Sequence, residues 1–158
     1  MNTGFRVRMI ALGLGVIGLV ALSSIVLAQP STYRVLNDVR MLEGNDCEYI
    51  QVEFNFPVQY ISHFPPNAGD ELRIQINPII VSSQDRGALL LREALSPPDS
   101  GDLGLLSIIY DGELSSGPVL MLQFRRPLSY SVGQGRDFRS VLVGIPGPDR
   151  TTPCLPLG

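Results

Sequence analysis

Few residues in this chain have the types and spacing that a reaction needs, and those few fall short of a site. His63 is the single histidine among 158 residues and sits in Ile61-Ser62-His63-Phe64-Pro65-Pro66. A hydrolytic zinc site takes two or three nitrogen ligands and a carboxylate. A Ser–His–Asp triad would need this same imidazole, and no Gly-x-Ser-x-Gly elbow accompanies it. His63 is therefore expected to be a turn residue, with no metal site and no catalytic role. Carboxylate pairs such as Asp70-Glu71, or Glu48 with Glu53, have the raw chemistry of a glycosidase. Fifteen acidic residues produce such pairs by chance, and Asp70 is expected to stabilise the turn before a strand. The chain reads as non-enzymatic and calls for no cofactor.

What remains is binding chemistry. Arg73 and Gln75 in one segment, and Gln123 and Arg125 in another, alternate with apolar neighbours, and Arg126 follows at a break. Arginine forks grip carboxylates in a bidentate way, and glutamine amides bond to hydroxyl and acetamido groups. The same residues are also what the wet side of any half-buried strand displays. Tyr60 and Tyr130 could stack on sugars, but their matched positions in a repeat favour packing.

Strands must position these side chains. In Glu48 to Phe56, the apolar Ile50, Val52, Phe54 and Phe56 fall on one face, with Gln51, Glu53 and Asn55 on the other. The same period of two recurs in Glu71 to Ile76, Leu120 to Phe124 and Ser140 to Ile145, and Tyr33 to Met41 and Leu105 to Tyr110 are further strand candidates. Turn clusters such as Glu43-Gly44-Asn45-Asp46 and Ser115-Ser116-Gly117-Pro118 separate them. Only Ser83 to Leu95 suggests a helix, with Ala88, Leu89, Leu91 and Leu95 as its stripe and Pro97-Pro98 as its stop.

An internal repeat organises the strands. Val52 to Tyr60 aligns with Leu122 to Tyr130 at a constant offset of 70 residues, sharing Phe-x-x-Pro-(Val/Leu)-x-Tyr. In each copy a strand runs in, a proline interrupts the ladder where its missing N–H is tolerated, and an aromatic-ended strand follows. Neither half can bury its apolar face alone. The expected fold is all-β, an antiparallel β-sandwich of two pseudo-symmetric halves with at most one short helix, the Ser83 to Leu95 segment crossing between halves.

The N-terminus has another purpose. Arg6 and Arg8 precede an uncharged run from Met9 to Gln29 that closes on Val26-Leu27-Ala28, the order of a secretory signal cleaved after Ala28. The run is also long enough to serve as an uncleaved membrane anchor. Gly13 to Gly18 matches the dinucleotide fingerprint letter for letter, but the run has no polar face and no βαβ alternation follows. The organisation is thus residues 1–28 as signal or anchor, 29–145 as one domain, and 146–158 as a Pro-rich tail. After Ala28 fifteen acidic residues face ten arginines, a formal charge of −5, which disfavours nucleic acid as a partner. Cys47 and Cys154, the only two cysteines, are expected to form a disulfide in an oxidising compartment, pinning the tail to the second strand.

This layout resembles the AMIN domain, a periplasmic β-sandwich of cell-wall amidases and type IV pilus secretins. The residues that carry the resemblance are Val35 to Arg40 as the opening strand, the two Phe-x-x-Pro-x-x-Tyr units, and the apolar strands closing each half. The resemblance implies a periplasmic location and association with peptidoglycan, or docking onto an envelope protein complex. It implies no reaction, and a membrane partner only if the N-terminal segment stays attached.

Overall fold

A computed structural model describes residues 34–79, 85–99 and 101–154, all of them within one unit spanning Ser31–Gly158. The signal or anchor segment and its cleavage point lie outside the described residues.

Among the described residues nine strands form two antiparallel sheets: β1 (Leu36–Gly44), β2 (Cys47–Phe54), β3 (Val58–Phe64), β4 (Ala68–Pro78), β5 (Arg92–Leu95), β6 (Leu105–Asp111), β7 (Val119–Ser129), β8 (Ser131–Gln134) and β9 (Ser140–Pro146). The four-stranded sheet has the order β1-β2-β9-β8 and the five-stranded sheet β3-β4-β7-β6-β5. The alternating apolar residues meet between them: Ile50, Val52 and Phe54 of β2 and Val141, Val143 and Ile145 of β9 face Leu72, Ile74 and Ile76 of β4 and Leu120, Leu122 and Phe124 of β7, all buried. The fold is the expected all-β sandwich.

Its two halves are interlocked. Advancing by the repeat offset carries β1 onto β6, β2 onto β7, β3 onto β8 and β4 onto β9, and so turns the order β1-β2-β9-β8 into β6-β7-β4-β3, the order of the other sheet. Each sheet therefore draws two strands from each half, with β5 added at one edge. The correspondence reaches single residues. A register shift between Leu36 and Asp38 opposite Phe54 and Glu53 is repeated between Leu105 and Ser107 opposite Phe124 and Gln123.

The shared Phe-x-x-Pro unit interrupts the ladder in both copies, but the chain changes sheet there only in the first, between β2 and β3; in the second it changes sheet after Ser129, between β7 and β8. Asn55 to Pro57 loop out between Phe54, whose N–H donates to Arg139 O at 2.8 Å, and Val58, whose N–H donates to Phe138 O at 2.8 Å. In the second copy the register of β7 against β4 jumps from Gln123 to Leu128 across Arg125-Arg126-Pro127. A residue without an N–H fits this unpaired stretch. The first copy breaks into β2 and β3, whereas β7 runs on through Pro127.

Three local expectations need correction. The segment expected to be helical holds a single turn, Asp85–Ala88, and then the edge strand β5. Ala88 and Leu89 are buried, but Leu91 is exposed and Leu95 half-buried, because Arg92 to Leu95 pair with Asp111 to Ile108 and tertiary pairing overrides the helical spacing. His63 lies in β3, paired with Ile74, because the chain turns only after Phe64. Asp70 lies inside β4, at its register shift, because the ladder with β7 already begins at Ala68.

The β1–β2 hairpin closes through Asn45 and Asp46, both with positive φ (52° and 57°), the signature of a type I′ turn whose twist matches the strands. Cys47 and Cys154 form the expected disulfide. Through it the tail lies over one end of the outer face of the four-stranded sheet, where Cys154 packs with Cys47 and the buried Tyr49, and Leu42 joins them. Gly144 permits this approach, since a Cβ there would come within 2.8 Å of the Cys154 Cβ.

Candidate binding face

The tail covers the Tyr49 end of the four-stranded sheet's outer face, and the broader open surface is the outer face of the five-stranded sheet. Directly opposed residues of antiparallel strands share a face, so the register defines its rows. The central row runs across all five strands: Phe64, Arg73, Met121, Ile109 and Ala94. On one side lies the row Ser62, Gln75, Val119, Asp111 and Arg92, and on the other Glu71, Gln123 and Ser107.

The structure brings Arg73, Gln123 and Arg125 to this face. Arg73 and Gln123 come from different halves of the repeat and meet on neighbouring strands because the halves interlock. Arg73 Nε lies 2.6 Å from Glu71 Oε1, with both side chains largely in solvent. A pair so exposed contributes at most about 1 kcal/mol; its effect is to orient the guanidinium along β4. Arg125 is exposed, and its N–H donates to Gly104 O at 2.8 Å. Gly104 has φ +60°, and a Cβ on it would meet the Arg125 Cβ at 3.0 Å, so glycine is what allows Arg125 to lie flat over that corner.

The other two predicted residues are placed differently. The Gln75 amide donates to Ser116 O at 3.1 Å and Pro118 O at 3.2 Å, so it ties the β6–β7 loop to the sheet. Arg126 stands in the looped-out kink, off the alternation that defines the face. Sequence reasoning missed Phe64, which is 70% exposed and opposite Arg73. Strict alternation would have assigned its face wrongly, because β3 carries a bulge between Tyr60 and Ser62.

The titratable and aromatic groups around His63 bond to one another and to the turn that follows β3. Tyr60 Oη lies 2.6 Å from His63 Nδ1, and His63 Nε2 lies 2.9 Å from Pro66 O. Tyr130 is buried, donates to Pro65 O at 3.3 Å and meets the imidazole edge-on. Burial raises the Tyr60 hydroxyl above its ordinary pKa, and burial with the nearby Asp70 charge does the same to Tyr130. A cleft of about 380 Å³ beside His63 is floored by Tyr130 and walled by the tail at Arg150 and Pro153. A larger one, about 880 Å³, lies between the β1–β2 hairpin and the tail, with Glu43, Asp46, Glu48 and Asp149 around it. Among the described residues no group of three His, Cys, Asp or Glu side chains could hold a metal ion.

Fold and face together define an interlocked antiparallel β-sandwich with one sheet surface partly covered by the tail and one open. Neither family models, nor curated proteins, nor solved structures give a match to the chain.

Proposed function

We propose that this protein is an exported, non-enzymatic cell-envelope domain, AMIN-like in layout, that binds peptidoglycan through the outer face of its five-stranded sheet. The observation that carries this reading is the asymmetry of the sandwich. One outer face is partly covered by the tail, while the other carries Arg73, Gln123 and Arg125 together with the exposed Phe64, which stands opposite Arg73. Arginine forks suit stem-peptide carboxylates, the glutamine amide suits acetamido and hydroxyl groups, and an exposed ring suits the apolar face of a sugar. The Cys47–Cys154 disulfide fits an oxidising compartment such as the periplasm.

The apolar members of the central row, Phe64, Met121 and Ile109, favour a second reading, in which a protein of an envelope assembly docks on the same face. Co-sedimentation of the oxidised domain, Gln29 to Gly158, with protein-free peptidoglycan across a salt series separates the two. Wall binding gives pelleting that weakens with salt and with Arg73→Ala combined with Arg125→Ala. A domain left wholly in the supernatant sinks the first reading and makes capture of a protein partner the next measurement.

A further inference from the structure

Eight large apolar side chains of the described fold are exposed, and five of them, Ile79, Leu90, Leu91, Leu114 and Phe138, lie in loops at one end of the sandwich. Hydrogen bonds join these loops into one surface. Ile79 N–H donates to Pro57 O at 2.8 Å, and Val58 N–H to Phe138 O at 2.8 Å. Gly112 N–H donates to Leu91 O at 3.1 Å, and Ile76 N–H to Pro118 O at 3.2 Å, which brings in the loop that carries Leu114.

Phe138 is the most telling member. Its φ of +55° is a left-handed conformation that bulky residues rarely adopt, and its side chain is 62% exposed. The backbone strain thus displays an aromatic ring to the surroundings, where asparagine or glycine would make the same turn at lower cost.

The described chain begins at this same end. Asn55 Nδ2 donates to Arg34 O at 2.8 Å, and Arg139 Nη1 donates to Asn55 O at 2.7 Å. In sequence the apolar run closes at Gln29, and the stretch from there to Arg34 reaches at most about 17 Å when fully extended. Charges of both signs stand around the apolar loops, Arg34, Arg92 and Arg139 with Glu93, Asp111, Glu113 and Asp137, and Arg92 Nε lies 3.9 Å from Asp111 Oδ2. Apolar and aromatic loop tips, beside a chain end that leads within a few residues to a long uncharged apolar run, are the composition of a surface that seats in the interfacial region of a bilayer.

We infer that this end of the sandwich is a membrane-docking surface, seated in a phospholipid bilayer by Phe138, Ile79, Leu90, Leu91 and Leu114, with the N-terminal apolar run retained as its anchor. The domain then stands on the bilayer with its acidic end outermost. This inference does not depend on what the open sheet face binds.

The chain contains no tryptophan, so a single substitution installs a unique fluorophore. Full-length F138W and, as the far-end control, full-length F64W are reconstituted into vesicles containing anionic phospholipid. The inference expects the F138W emission to be blue-shifted, largely lost to a quencher carried on the phospholipid chains, and protected from iodide in the water. F64W shows the reverse. Adding Leu90→Ser and Leu91→Ser to F138W, with unchanged far-UV circular dichroism, reduces the lipid-borne quenching. Equal iodide quenching at both sites overturns the inference. So does an F138W indole shielded from iodide but untouched by the lipid-borne quencher, since protein, whether the N-terminal segment or a second copy, would then cover the patch.

Discussion

The carboxylate of Glu93 accepts the backbone N–H of Val35 at 2.8 Å and that of Leu36 at 3.1 Å, across 58 and 57 residues of sequence. Glu93 belongs to β5, at the edge of one sheet, and Val35–Leu36 lead into β1, at the edge of the other. The opposite flank is laced the same way, where Gln134 Oε1 accepts the Tyr60 N–H at 2.7 Å. Side-chain oxygens thus satisfy main-chain donors that no strand reaches, and they join the sheets at both sides.

Replacing Glu93 with alanine strands both donors in a partly buried setting. The expected cost is about 1–3 kcal/mol in urea unfolding. Amide exchange at Val35 and Leu36 should speed up selectively, with the amides of β2 and β9 unaffected. Unchanged exchange at those two positions would show that the bridge holds nothing.

The disulfide closes a loop with a sequence separation of 107. Cys47→Ala with Cys154→Ala is expected to lower unfolding stability by about 5 kcal/mol in the chain-entropy account. The inter-sheet core does not involve the tail, so far-UV circular dichroism should remain that of a sandwich, while Tyr49 gains access to solvent. A double variant as stable as the oxidised protein would mean that the tail stays ordered without its bond.

Tyr110 provides a pH signature. Its hydroxyl donates to Leu89 O at 2.7 Å inside the core. Burial foremost, then the charges of Glu93 and Asp111, raises its pKa far above the ordinary tyrosine range. In the unfolded chain a tyrosine ionises near about pH 10. Below that pH both states keep the proton and the contribution of Tyr110 is complete. Above it the unfolded chain releases a proton that the folded one retains, so stability falls as pH rises. Tyr110→Phe should flatten that alkaline loss in urea titrations from about pH 8 to about pH 11, while costing about 1 kcal/mol at neutral pH for the missing hydrogen bond. Equal alkaline slopes in both proteins would assign the loss to other groups.

Period-two alternation identified the long strands because their apolar residues face a single core, and Ile50, Val52 and Phe54 are buried in turn as it requires. The repeated Phe-x-x-Pro unit announced two related halves, but not that the two copies change sheet at different points, after β2 in the first and after β7 in the second; that depends on which distant strand each segment pairs with. The edge strand β5 was hidden because Ala88, Leu89, Leu91 and Leu95 have helical spacing, and four residues are too few for alternation to compete with it. On the candidate face Arg73, Gln123 and Arg125 were legible as outward residues. Phe64 was not, because a single bulge reverses the parity from which its face would be read. Gln75 was seen as free because the loop it holds is distant in sequence.

The exchange of strands between the halves has a consequence for how the chain reaches its fold. A sheet assembled from both halves cannot be completed by either one during synthesis. β2 gains its partner β9 only after nearly the whole chain is available, and the pairing must wait for a long loop to close. The geometry is that of a strand-exchanged dimer written as one polypeptide. The connection between the halves replaces a bimolecular encounter with an effective concentration, so that assembly of the sandwich is independent of how much protein is present.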